Sequence, residues 1–567
     1  MTIPPQKLIM KNENRAGVSS VLIHSGLVTL AALLFAGSFP NLLFKNGLPF
    51  LAWFAYIPIL VLIRKNGFIA CAGWGAVYGC AAYALFNYWL GAFHPLAGTI
   101  VYSIYLVYMI AVFLLLKLAD VLYPGRSYIV QWLIWLAYEY LRTKGFLGYS
   151  YGITGYSQWR ITPIIQIAGI AGVWGVSALV TFPSFWLAAA LKNWRPTGSF
   201  RQNTAEIGRA VLLFFQKEKI SAVVWAAVLC ASLVFGVVSN RDFSSYPTAR
   251  IALVQHNSDP WEASKSENPL LVNEAYRNDL AVLKRLSDEA LSKEPKPQLV
   301  VWPETAFVPR IYWHTTYRED RNSWNLVREL LEYLAEKDVP FLIGNDDARM
   351  DPAKNPNPAE KFRVDYNAAL FFENGKITES YRKLHLVPFT EHFPYKKQFP
   401  FIYSALEKAD THFWEKGEEY TVFSGPGFSF SAPICFEDTF GYLSRNFVRN
   451  GADVLVNISN DAWSKSLPAQ NQHLSMAVFR AVENRRPMVR STVSGQTCAI
   501  DPRGRVTATA APFTEAWINV TVPLTAGKTL YNLYGDYLGL VFTLLAVIML
   551  LSRAVSCTIR KTREGHQ

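Results

Sequence analysis

Three short stretches each carry one reactive side chain just past an apolar run. Glu304 stands in Trp302-Pro303-Glu304-Thr305. Lys383 stands in Tyr381-Arg382-Lys383-Leu384-His385-Leu386-Val387-Pro388-Phe389, and Cys435 in Pro433-Ile434-Cys435-Phe436-Glu437-Asp438. If the runs are strands of one sheet, their ends converge, and a carboxylate, an ammonium and a thiol share one site. The chemistry of such a trio is acyl transfer through sulfur. A free thiol with a pKa near 8.5 needs activation before it attacks. A carboxylate within hydrogen-bond reach takes the thiol proton and returns it to a leaving group. An ammonium favours the thiolate and stabilises the oxyanion of a tetrahedral intermediate, and backbone N–H groups after Cys435 offer a second oxyanion donor. The product is a thioester, resolved by transfer or by hydrolysis. Taken singly, each residue has a plainer reading. A lone Cys after a strand is usually a small buried hydrophobe, a lone Glu caps a turn, and a lone Lys is solvated. The three contexts together carry the catalytic reading.

The elements that must position these residues follow from periodicity. Between residues 240 and 532, short apolar runs alternate with amphipathic helices, an α/β pattern. Strands are expected at 249–257, 297–305, 340–346, 428–438 and 452–461, and helices near 269–292, 321–337 and 470–484. Residues 367–383 read as a hairpin turning at Asn374-Gly375.

The rest of the chain has a different composition. Of 567 residues, 51% are hydrophobic and only 17% charged, and the mean hydropathy is +0.13. These values exclude a disordered chain and a disulfide scaffold. Apolar stretches long enough for membrane helices lie near 19–38, 47–63, 68–91, 99–121, 127–142, 166–190, 220–239 and 534–552. The formal net charge of +12 sits outside the 240–532 segment, which holds 34 Lys/Arg against 36 Asp/Glu. It is therefore a topology signal, and no folded segment is a nucleic-acid footprint. With a cytoplasmic N-terminus, seventeen basic residues fall on inner segments and four in short outer loops, a positive-inside bias. The expected layout is seven spans over 1–239, an extracytoplasmic domain over 240–532, and an eighth span with a basic tail over 533–567. Ala36-Gly37-Ser38 after the first span resembles a signal cleavage site, but loss of that span would disturb the charge pattern. Cys435 and Cys498 are the two cysteines of the outer domain, and the proposed chemistry wants Cys435 free. No metal-ligand spacing is present, and neither a metal nor another cofactor is expected.

Trp-Pro-Glu, Tyr-x-Lys-x-His-Leu-Val-Pro-Phe and Ile-Cys-Phe-Glu resemble the three motifs of the nitrilase (carbon–nitrogen hydrolase) superfamily. With the membrane stretches included, the chain resembles the apolipoprotein N-acyltransferase family. His385 to Glu391, Ser459-Asn460-Asp461-Ala462-Trp463, Gln472-His473 through Arg486-Pro487, and Glu139-Tyr140-Leu141-Arg142 extend the likeness. The resemblance implies an α-β-β-α sandwich above an eight-helix membrane domain. It implies Glu304 as base, Lys383 as oxyanion stabiliser and Cys435 as nucleophile. Glu391 and Glu437 would position Lys383 and the nucleophile loop, and Trp261 and Asn345 would contact substrate. Phe436 stands where the family usually has Tyr, and Thr390 where Gly is common. The implied reaction takes an acyl chain from a membrane phospholipid to the α-amino group of a diacylated apolipoprotein, in the bacterial inner membrane, by a protein expected to be a monomer. On the outer face, the aromatic loop 146–152, with Tyr149 at its centre, is expected to line a lipid portal. An interfacial aromatic belt is the competing account. Two other functions compete with acyl transfer. A membrane-tethered amidase would use the same trio with water as acceptor. A transporter or sensor would need ionisable groups deep in the spans, whereas Glu139 lies near a helix end beside Arg142.

Overall fold

The computed structural model describes residues 5–93, 95–192, 200–239, 242–259, 266, 268–408 and 413–564. Among the described residues, six helices are long and apolar enough to cross a membrane: Ser20–Ser38, Phe68–Phe86, Ala97–Leu122, Ala168–Ala190, Gln202–Val238 and Tyr537–Ser556. The other two expected spans are shorter. The 47–63 stretch breaks into a 3-10 turn, Pro49–Trp53, and a nine-residue helix, Ile57–Lys65. A proline opens each piece, where its fixed φ and missing N–H suit a helix start. The helix Ser127–Leu141 has 15 residues, reaching about 22 Å against a hydrocarbon core of about 30 Å. The helix Ala168–Ala190 occupies the middle of the bundle, with most of its residues buried. Glu139, the ionisable residue weighed for transport, instead accepts from the Thr154 N–H at 3.0 Å and Trp135 Nε1 at 3.3 Å. It fastens the turn Thr154–Gln158 to its own helix.

The outer domain is two six-stranded sheets face to face. The first has the order β12-β1-β2-β3-β4-β5, built from β1 (Thr248–Gln255), β2 (Leu299–Val301), β3 (Phe341–Met350), β4 (Arg363–Glu373), β5 (Lys376–Arg382) and β12 (Ala516–Pro523). The second has the order β11-β10-β9-β8-β7-β6, built from β6 (Phe423–Ser424), β7 (Ser429–Ser431), β8 (Val454–Ser459), β9 (Met488–Thr492), β10 (Cys498–Ile500) and β11 (Val506–Thr509). The middle pairs β1–β2–β3 and β7–β8–β9 are parallel. Parallel strands are covered on both faces, and every residue of β2 and β8 is buried. Ser491 Oγ on β9 donates to the carbonyls of Val254 at 2.8 Å and Val301 at 3.1 Å, tying the sheets together. The hairpin β4–β5 turns where expected, with Asn374 at φ 51° and Gly375 at φ 72°, the left-handed pair of a type I′ turn.

Helices complete the layers. Pro269–Leu291 and Arg321–Ala335 lie on the first sheet through Leu280, Leu283, Leu286, Leu326, Val327 and Leu330. Gly441–Arg449 and Leu467–Asn484 cover the second. The last of these also meets the membrane bundle. Gln472 Nε2 donates to the carbonyls of Pro40 and Phe86, and Trp89 Nε1 donates to Gln472 Oε1 at 3.0 Å. Arg480 donates to Tyr156 Oη at 3.0 Å, and Glu483 accepts from the Val173 N–H at 3.2 Å.

Candidate active site

Glu304 follows β2. The Trp302 N–H donates to the Leu342 carbonyl at 2.9 Å, and its indole donates to Ser287 Oγ at 2.8 Å, so the turn is held on both sides. Gly344 on β3 makes the turn possible. A Cβ there would lie 2.3 Å from the Pro303 carbonyl oxygen and 2.7 Å from Glu304 Cα. Lys383 follows β5, and its N–H donates to the Asn367 carbonyl at 2.8 Å. Cys435 follows β7 after the bridge between Ile434 and Ile458. Its φ of 49° and that of Thr305, also 49°, are left-handed, a strained geometry that gathers at functional sites.

The trio therefore comes from both sheets. Glu304 and Lys383 hang from the first and Cys435 from the second, which corrects the single-sheet expectation. Glu304 Oε1 accepts from Lys383 Nζ at 3.3 Å and Asn367 Nδ2 at 2.8 Å. Its Oε2 accepts from the Asn460 N–H at 2.7 Å, reaching across to the end of β8. Lys383 is fully buried and also donates to Glu391 Oε1 at 2.8 Å. Burial works against its ammonium, but Glu391 and Glu304 hold the group above its ordinary value. Burial and then the Glu304 charge push the Cys435 thiol well up, with Lys383 opposing. A thiol proton must leave before or as the sulfur attacks.

Glu391 and Glu437 both hydrogen-bond to the loop that carries Lys383. Glu391 Oε2 accepts from the Val387 N–H at 2.8 Å, which locks the loop carrying Lys383. Glu437 is fully buried and joins the two loops. It accepts from the N–H groups of Leu384 at 2.7 Å and His385 at 2.9 Å on one side. On the other it accepts from the Ile434 N–H at 2.8 Å, with Tyr381 Oη at 2.8 Å completing its shell. Burial pushes its carboxyl up to about 7, and those donors pull the other way. The Glu437 N–H itself donates to the Ile434 carbonyl at 3.1 Å, so the expected oxyanion role does not fall to it. Cys435 and Cys498 are both free thiols.

Asn345 departs from its expected role. Its amide N–H groups donate to the Phe307 and Pro309 carbonyls at 2.6 and 3.0 Å, and its oxygen accepts from the Ile311 N–H. With both donors used, it shapes the 307–311 loop and has none left for substrate. Trp261 lies outside the described residues. Tyr149 and Phe436 line one apolar cavity of about 110 Å³. Its walls are Ala97, Ile100, Val101 and Ile104 of the membrane helix Pro95–Leu122 and Val387 to Thr390 of the lysine loop.

The contacts of two asparagines with Glu304 escaped the sequence reading. Asn367 and Asn460 both grip Glu304. For Asn367 a signal existed, because closing the hairpin at Asn374-Gly375 brings it beside the residues leading into Lys383. Behind Cys435, His473 Nε2 meets Asp438 Oδ1 at 2.6 Å and its Nδ1 meets Asp461 Oδ1 at 3.2 Å. Arg490 pairs with both carboxylates. Burial works against the His473 imidazolium, but Asp438 and Asp461 raise it to about 9.

Known families and proteins match both halves of the chain. The carbon–nitrogen hydrolase family model matches residues 250–529, and that of the apolipoprotein N-acyltransferase N-terminal domain matches 31–186. Apolipoprotein N-acyltransferase 1 of Treponema denticola is 43% identical over 535 residues, 92% of this chain and 95% of that one. Its namesake in Treponema pallidum is 45% identical over 547 residues, 95% of this chain and 97% of that one. Among solved structures, a nitrilase-superfamily member of Saccharomyces cerevisiae matches 50% of this chain and 92% of its own, at 20% identity and a TM-score of 0.33. On these matches the chain belongs to the apolipoprotein N-acyltransferase family.

Proposed function

We propose that the protein transfers an acyl chain from a membrane phospholipid, through a thioester on Cys435, to the free α-amino group of an apolipoprotein's N-terminal diacylglyceryl-cysteine. The observation that carries this reading is the apolar cavity. It runs from a membrane helix to Phe436, the neighbour of the thiol, as a substrate with hydrocarbon chains requires. In the first half-reaction the sulfur attacks an ester carbonyl as Glu304 takes the thiol proton. The C–O bond breaks, Lys383 stabilises the oxyanion, and Glu304 returns the proton to the glycerol oxygen, releasing lysophospholipid. In the second, the acceptor nitrogen attacks the thioester and yields a proton to Glu304. The C–S bond breaks and the sulfur takes that proton back, a ping-pong cycle.

Several organisational features belong to the same proposal. The positive-inside bias supports cytoplasmic termini and a catalytic domain, 240–532, outside the bacterial inner membrane. The membrane part is then 1–239 with seven crossings, two of them made by the broken segment 49–65, a 3-10 turn followed by a short helix, and by the 15-residue helix Ser127–Leu141, and 533–567 supplies the eighth. The working unit is one chain.

The test is intact-mass analysis of the detergent-purified protein incubated with phosphatidylethanolamine, beside Cys435→Ala. The wild type alone should gain one acyl mass, and a diacylated lipopeptide should discharge it. No adduct with any phospholipid, together with ammonia release from small amides, would replace this reading with a membrane-tethered hydrolase.

A further inference from the structure

Four buried charged side chains form a closed quartet beside the Cys435 turn. The carboxylates of Asp438 and Asp461 are bridged twice. His473 takes Oδ1 of each, through Nε2 at 2.6 Å and Nδ1 at 3.2 Å. Arg490 takes Oδ2 of each, with Nη1 on Asp438 and Nη2 3.4 Å from Asp461. None of the four is more than 5% exposed.

A carboxylate oxygen only accepts, so both His473 contacts exist together only when both ring nitrogens carry hydrogen. That form is the imidazolium. Burial opposes it, as does Arg490, whose Nη2 lies 3.4 Å from Nδ1, while Asp438 and Asp461 raise its value to about 9. Tyr151 is the other titratable neighbour, its ring 6.3 Å from the imidazole. With the imidazolium the quartet is neutral, two negative charges against two positive. Without it a net negative charge stays buried three residues from Cys435.

The two carboxylates belong to two loops that acyl transfer must keep in register. Asp438 lies in the 3-10 turn Cys435–Thr439. The φ of 49° at Cys435 is strained and persists only where the surroundings impose it. Asp461 follows Asn460, whose N–H donates to Glu304 Oε2 at 2.7 Å. Ser459 Oγ donates to Asp461 Oδ1 at 3.0 Å. Ser459 is also the next residue along β8 from Ile458, the bridge partner of Ile434. His473 thus spans from the turn of the thiol to the loop that holds the carboxylate.

On the acyl-transfer reading, from which this inference starts, we infer that His473 is a positioning residue whose doubly donating imidazolium fastens the turn of the nucleophile Cys435 to the loop that grips the base Glu304. Losing the proton leaves one of the two bonds without a donor and a negative charge facing the developing thiolate. A residue that only filled the space would serve equally well when neutral.

The test times acyl-enzyme formation by intact mass, using the full chain in detergent with 1,2-diacyl phosphatidylethanolamine, from pH 7 to pH 10. Wild type is compared with His473→Gln, whose amide donates to one carboxylate and carries no charge. The variant should be about tenfold slower at pH 7, the size of one lost bond to a charged group. At pH 10 it should be only about twofold slower, because the wild type has by then shed most of its imidazolium. Taking the ratio at each pH removes the ionisation of Cys435, which is common to both proteins. A cooperative thermal transition certifies the variant as folded. If it does not fold, biosynthetic replacement of histidine by 4-fluorohistidine, a weaker base of the same shape, should give the same deficit at pH 7 and the same recovery at pH 10. A folded variant as fast as the wild type at pH 7, or a deficit of one size across the range, overturns the inference and leaves the acyl-transfer reading standing. A wild type that forms no adduct at any pH sinks that reading, and this inference with it.

Discussion

The two outer helix layers of the sandwich do the same topological job under opposite conditions. On the first sheet, Arg321–Ala335 buries only Leu326, Val327, Leu330, Tyr333 and Leu334 and turns its charged face to water. On the second, Leu467–Asn484 is buried from Ala469 to Asn484 without a gap, because the sheet takes one face and the membrane bundle the others. One helix is amphipathic and self-sufficient. The other carries Gln472, His473, Arg480 and Glu483 into the interior, where each must find a partner. The difference teaches that Gln472, Arg480 and Glu483 belong to the seating of the outer domain on its membrane base.

The sharpest way to break that contrast is to remove one member of a buried pair. Glu483→Ala leaves the fully buried Arg480 without its carboxylate and should cost about 3–5 kcal/mol in unfolding experiments in detergent. An equal loss from Glu332→Ala on the water-facing helix would abolish the distinction. Next comes the apolar anchor of that outer helix. Leu330→Ala should cost about 2–4 kcal/mol through the cavity it leaves, with Cys435 alkylation unchanged because the site lies across the sheet.

A smaller effect is confined by pH. His473 is held protonated, its value raised from the ordinary 6.5 to about 9. Its contribution is therefore complete below about pH 6.5 and gone once the pH passes about 9. Thermal unfolding of the wild type should weaken across that window, and His473→Gln should flatten the profile there. A variant that keeps the wild-type slope would show that another group titrates. The smallest expected change is Arg328→Ala. Its exposed pair with Glu332, 3.7 Å apart, should contribute under about 0.5 kcal/mol, read as an unchanged unfolding midpoint.

Much of this was legible in the sequence. The hairpin at Asn374-Gly375, the strands before Glu304, Lys383 and Cys435, and the helix before Arg485 all announce themselves through local periodicity and turn chemistry. What stayed hidden is what depends on packing between distant segments. A single strand end does not tell which sheet it joins, so Cys435 was expected beside Glu304 when it faces it. Asn345 and Asn367 are equally plausible neighbours of the site by type. Only the register of β3 on β4 separates them, turning Asn345 to the 307–311 loop and Asn367 to Glu304. Apolarity in 47–63 and 127–142 speaks of burial, but the lengths of the helices there are decided by where Pro49, Pro58 and Pro124-Gly125 interrupt the chain.

The sealed helix Leu467–Asn484 also bears on portability. Cut free of its base, the catalytic half would bare Gln472, Arg480 and the Glu483 carboxylate that now caps the Val173 N–H, beside a broad apolar face. It is not a cassette that can be lifted onto another anchor. Changes at Trp89, Tyr156 or Val173 in the bundle are coupled to changes in one turn or another of this helix. The two halves therefore stand as one structural unit.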